Sequence, residues 1–129
     1  MQREIKFRAW TGEDMVFVHT LDIYPDSKNC RVNTVVRSHY EKWPIMQYSG
    51  MNDKNEKPIY EGDFVQLVEA KRHYTVEFIE STFKLIHADP KMNRMHWGSI
   101  SRVNELIFTI EVIGNIYENP ELVNRAVGV

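Results

Sequence analysis

Apolar and polar residues along this chain alternate far more often than they recur at helical spacing. Ile5, Phe7 and Ala9 interleave with Glu4, Lys6 and Arg8, the pattern of a half-buried strand. Thr11-Gly12-Glu13-Asp14 supplies a turn and the more apolar run Met15 to His19 follows, so the N-terminus predicts a hairpin with Lys6 and Arg8 in solvent. Pro25 to Asn29 is a second turn, ahead of Arg31 to Arg37 with its β-branched residues. Pro44 confines Trp43 to Tyr48 to an edge strand or an extended connection. Beyond it, Asp63 to Glu69 alternates, Tyr74, Val76 and Phe78 share one face, and Phe83, Leu85 and His87 share another. Met95 to Val103 reads as irregular or a short strand, and Leu106 to Ile113 as a long apolar strand ending at Gly114. Asn119-Pro120-Glu121 opens a short helix, because Asn caps well, Pro suits the first helical position and Glu complements the dipole.

The chain is therefore expected to be mainly β. Residues 1–48 form an N-terminal β subdomain, residues 49–58 a turn, and residues 59–118 a small SH3-like barrel of five short strands. Residues 119–129 form a C-terminal helix and tail. The core is expected to draw on Phe7, Trp10, Val65, Leu67, Val76, Phe78, Leu85, Ile110, Val112 and Ile116.

Composition adds exclusions. A length of 129 residues suits one domain or two small subdomains. A hydrophobic fraction of 43% argues against disorder. Residues 1–48 carry 7 basic and 6 acidic groups, and residues 49–129 carry 9 and 12, so neither part has the balance of a protein that wraps nucleic acid. No 18-residue apolar stretch exists and MQREIKF is charged where a signal peptide is apolar, which predicts a soluble, cytoplasmic protein with no membrane partner. The single Cys30 excludes an internal disulfide and a multi-thiolate zinc site within one chain.

The most informative segment is MQYSGMNDKNEKPIYEGDFVQL, Met46 to Leu67. An apolar-aromatic run containing Tyr48 stops at Gly50, a polar turn from Asn52 to Pro58 follows, and the chain re-enters through Tyr60, Glu61, Gly62 and Asp63. Gly, Asn and Asp tolerate positive φ, and Asp and Asn side chains bond nearby backbone, so this is turn chemistry between extended segments. The segment resembles the signature of the YopX family of phage and prophage proteins, as do KFRAW (Lys6 to Trp10) and EVIGNIYENPEL (Glu111 to Leu122). The resemblance implies a phage or prophage origin and brings no assigned biochemical activity. Glu56 stands where the family usually has glycine after Asn55, so the turn is expected to lose its Asn-Gly geometry and widen.

Candidate chemistry is sparse. Glu61 and Asp63 flank Gly62 and suit a cation or an acid–base pair, but a turn entering a strand explains them better, with Gly62 at positive φ. The five histidines show no HxH, HxxxH or HExxH spacing, so neither a metal nor a cofactor is expected. His87, beside Phe83 and Leu85, reads as a hydrogen-bonded core or interface residue. Two groups mix basic and aromatic residues, Lys71-Arg72-His73-Tyr74 and the set Lys91, Arg94, His96, Trp97 and Arg102. Of these, Lys71, Arg72, Tyr74, Arg94, Trp97 and Arg102 form the candidate binding patch, as phosphate contacts plus stacking rings. The first functional expectation is a non-catalytic binding or assembly module for a phage or host protein. It is expected to self-associate through the apolar runs Met15-Val16-Phe17-Val18 and Val35-Val36. A nucleic-acid accessory protein is the alternative, and a small hydrolase using Glu61, Asp63 and a histidine ranks last.

Overall fold

The computed structural model describes residues 4–23, 30–34, 43–88, 96–101 and 109–122. Ten strands lie among them: β1 (Phe7–Trp10), β2 (Met15–Ile23), β3 (Cys30–Thr34), β4 (Ile45–Asn52), β5 (Pro58–Tyr60), β6 (Asp63–Leu67), β7 (Arg72–Ile79), β8 (Thr82–His87), β9 (His96–Ser99) and β10 (Ile110–Asn115). The chain divides into two compact units, Met1–Tyr48 and Ser49–Val129.

In the first unit the strand order is β3-β2-β1-β4, antiparallel throughout. The β1–β2 hairpin turns at Thr11, whose hydroxyl accepts the Asp14 N–H at 3.0 Å and whose N–H donates to the Asp14 carbonyl. Ala9, Met46 and Tyr48 are buried. Arg8 is buried too, at 7% exposure, which corrects its expected place in solvent. It stands opposite Met46 on one side and Phe17 on the other. The alternation also starts later than expected, since the first strand begins at Phe7 and Ile5 is exposed.

In the second unit β4 and β5 are hydrogen-bonded neighbours, and a five-stranded antiparallel sheet runs β10-β6-β7-β8-β9. Its core holds Ile59, Val65, Leu67, Tyr74, Val76, Phe83, Leu85, Ile100 and Ile110. The opposite face of the sheet is covered as well, with Phe64 and Ile86 essentially inaccessible. Five expected core members are buried (Val65, Leu67, Val76, Leu85, Ile110), while Phe7, Trp10 and Val112 are half-buried. Phe78 and Ile116 are exposed instead, at 47% and 40%. The register of β7 is as expected, because Tyr74 and Val76 point inward; Phe78, opposite the buried Phe83 near the hairpin end of the strand, is nonetheless exposed. The barrel closure expected for residues 59–118 does not follow from this strand order alone. Of the expected C-terminal helix only its start is described, with Glu121 and Leu122 helical; 123–129 lie outside the described residues, as do Val35, Val36 and most of Leu106 to Thr109.

Candidate functional site

The polar turn of the signature is built around Asp53, a buried carboxylate. Its Oδ1 accepts the N–H groups of Asn55 at 2.8 Å and Lys57 at 2.9 Å, closing the turn, and its own N–H donates to the Lys57 carbonyl at 2.8 Å. Its Oδ2 reaches a different element and accepts the Val112 N–H of β10 at 2.9 Å. Lys54 reinforces this contact: its N–H donates to the Ile110 carbonyl at 3.0 Å, and its ammonium sits 2.7 Å from Glu111. Burial is the largest influence on Asp53 and raises its pKa, but the N–H groups of Val112, Lys57 and Asn55 and the charge of Lys57 together outweigh it, so the carboxyl lies below its ordinary 3.8. Glu111 bonds and charge likewise hold the Lys54 ammonium above its usual value. Two segments 59 residues apart in sequence, the signature and EVIGN, therefore meet at one carboxylate.

Glu56 adopts φ +63° and donates its N–H to the Asp53 carbonyl at 3.0 Å. The turn thus has a left-handed residue where the family usually has glycine, while Asn55 before it does not share the positive φ of an Asn-Gly turn. At the second turn Gly62 adopts φ +87°, as expected. Its N–H donates to the Val76 carbonyl at 2.8 Å and its own carbonyl accepts the Ile116 N–H at 2.9 Å. Asp63 is 1% exposed and its Oδ2 accepts the Tyr60 N–H at 2.9 Å, a structural assignment for the acid pair's second member. Tyr48, Tyr60 and Asp63 are buried, Glu61 is half-buried, and Gly50 is exposed within β4 at φ +89°.

The basic patch is only partly brought together. Antiparallel pairing puts the β6–β7 turn, the end of β8 and the start of β9 at the same end of the sheet, and with them Lys71, Arg72 and Trp97. Lys71 and Arg72 are exposed. The acid of that turn, Glu69, is engaged elsewhere: its carboxylate takes both the hydroxyl and the N–H of Thr109 at 2.6 Å, bonds that hold its pKa below the ordinary value. Tyr74 offers no stacking platform, since it is 1% exposed and its ring packs 4.6 Å from that of His87. Its position on the inward face of β7 decides this, and burial raises its phenol pKa against the opposing charge of Arg72. Arg94 and Arg102 lie outside the described residues.

Among the described residues no three His, Cys, Asp or Glu side chains converge to hold a metal ion, and no helix is long and apolar enough to cross a membrane. One large apolar side chain stands out: Phe17 of β2, at 67% exposure, opposite Arg8 at the end of the β1–β2 register. Val16 and Val18, the members of the run Met15 to Val18 expected to be exposed, are half-buried, and Phe17 between them is the exposed one. In the sequence Asp53 reads as one polar turn residue among several; the Asp-x-Asn-x-Lys spacing that closes its turn is the available signal.

Two antiparallel sheets and a carboxylate-centred turn define a small, mainly β protein. The chain belongs to the YopX protein family, whose pattern matches residues 6–124. It is similar in structure to protein EF1440 from Enterococcus faecalis, with TM-score 0.61 and 21% identity over 95% of this chain and 99% of that one. It is similarly close to protein yopX from Bacillus subtilis, with TM-score 0.59 and 23% identity over 95% and 97%. No curated protein matches it in sequence.

Proposed function

We propose that this chain is a non-catalytic binding or assembly module that self-associates through the β2 face of its N-terminal unit. Phe17 carries the reading. It is two-thirds exposed on a strand whose neighbours Met15, Val16 and Val18 are themselves only half-covered. An aromatic in mid-strand buries large area at small entropic cost, and a second copy is the commonest cover for such a face. The resemblance of the three sequence segments to a phage and prophage family supports a role inside the host cell on a phage or host protein. The strand order β10-β6-β7-β8-β9, with the unit's first long strand between its second and its last, supports reading the C-terminal sheet as a small SH3-like barrel.

Sedimentation velocity at micromolar concentration tests the proposal. The native chain is expected to sediment as a dimer or a dimer of dimers, and Phe17→Ser to shift it to monomer with dissociation at least about tenfold easier, given ~1.5–3 kcal/mol for a buried Phe. A native chain that is monomeric throughout sinks the reading.

A second reading rests on Lys71 and Arg72, exposed and outside any ion pair among the described residues. Two cations at one end of a sheet suit phosphate contact. Retention on single-stranded nucleic acid that falls steeply with salt and is lost in Lys71→Glu/Arg72→Glu supports this reading over the first; the acidic balance of residues 49–129 counts against it.

A further inference from the structure

Strand β10 is an edge of its sheet. One side pairs with β6, Ile110 opposite Leu67 and Val112 opposite Val65. In an antiparallel edge, alternate residues turn their N–H and C=O outward, ready to template another strand. Here the outward carbonyl of Ile110 and the outward N–H of Val112 are both occupied by the signature turn. The Lys54 N–H fills the first and Asp53 Oδ2 the second, at 3.0 and 2.9 Å. A backbone donor and a side-chain acceptor thus stand where an added strand would place its own donor and acceptor. The turn itself does not require this, because Oδ1 alone closes it through Asn55 and Lys57. Past Val112 the pairing with β6 shifts at a bulge before Gly114, which breaks the straight edge beyond the covered stretch.

We infer that Asp53–Lys57 is a strap closing the outer edge of β10 against pairing with a strand of a second copy of this chain, and that Asp53 is its clasp. The other contact, Lys54 with Glu111, is a partly exposed ion pair and only assists. The family signature then serves as edge protection, and removing the clasp exposes a strand-docking surface distinct from the Phe17 face.

The test uses Asp53→Asn in the full chain, in a Phe17→Ser background so that the β2 face does not contribute. Asparagine keeps an acceptor for Asn55 and Lys57, but its amide group faces the Val112 N–H donor to donor. Amide exchange at Val112 and Lys54 is expected to speed up about tenfold or more while the β7 and β8 amides keep their protection. Concentration-dependent association is expected to appear, and to vanish when Val112→Pro is added, since Pro removes the outward donor and is tolerated on an edge. Unchanged Val112 exchange, loss of protection spread equally over β7 and β8, opening without association, or association that survives Val112→Pro would each overturn the inference.

Discussion

Glu56 holds a left-handed backbone at φ +63° that costs a non-glycine residue of order 1 kcal/mol. Glu56→Gly is therefore expected to stabilise the protein by about 1 kcal/mol in urea unfolding, less the extra freedom glycine has in the unfolded chain. Gly114 answers to space rather than to φ. A Cβ there would stand 2.5 Å from Asn119 Oδ1 and 2.9 Å from a Leu122 methyl. That same Oδ1 accepts the Asn115 N–H at 3.2 Å, while Asn115 in turn caps Tyr117 and Glu118 through its own Oδ1. Gly114→Ala should cost about 1–3 kcal/mol by overpacking. Most of that cost should disappear in an Asn119→Ala background if the amide is the obstacle, a coupling that a double-mutant cycle reads directly.

At the scale of elements, the β7–β8 hairpin is closed by two residues, Glu80 and Ser81, between the pair Ile79 and Thr82. Both have positive φ, +52° and +65°, the geometry of a type I′ turn that Asn-Gly adopts more cheaply. Glu80→Asn with Ser81→Gly is expected to raise stability by about 1–2 kcal/mol in denaturant melts, since the Glu80–Lys84 pair given up is an exposed one at 3.4 Å. The same hairpin carries Phe78, which is 47% exposed, with its ring tilted against that of the core residue Phe83 at 4.8 Å. Phe78→Ala should consequently cost only about 1–2 kcal/mol, from a half-buried aromatic pair. Leu85→Ala, inside the core, should cost about 2–5 kcal/mol. Equal losses at the two positions would mean that the hairpin tip is covered in solution.

For the whole molecule, pH reports on the carboxylates that join distant segments. Asp53 and Glu69 both lie below their ordinary values in the folded state. A depressed carboxyl contributes stability above its unfolded pKa and loses it as pH falls through the lower, folded one. The second unit is thus expected to keep a stability plateau near neutrality and to weaken below the ordinary Asp value of 3.8. The difference in urea midpoint between the native chain and Asp53→Asn should hold steady near neutral pH and shrink in that acid range. At the alkaline end the sign reverses. Tyr74 has a raised folded pKa, so its contribution is full below the ordinary 10.0 and falls as pH rises beyond it. A native midpoint that stays level into acid would contradict the Asp53 contribution.

Alternation and turn chemistry belong to short stretches of chain, and these are legible in the sequence alone. The strands around Met15, Val65, Val76 and Leu85, the positive φ of Gly62 and the mainly β class all follow from residues within a few positions of one another. Placement across the fold was not legible, because it depends on what covers each face. Arg8 is buried on a strand whose neighbouring Lys6 is not, Phe78 is exposed although it stands opposite the core residue Phe83, and Tyr74 points inward although its neighbours in sequence are cationic. The candidate site divides in the same way. The signature turn could be read from Gly, Asn and Asp, but its Asp53 acquires a role only when β10 arrives from 59 residues away with an outward N–H to fill. Local backbone preference determined the elements; which edges and faces meet was decided by tertiary pairing, where burial and the need to satisfy each polar group select one arrangement.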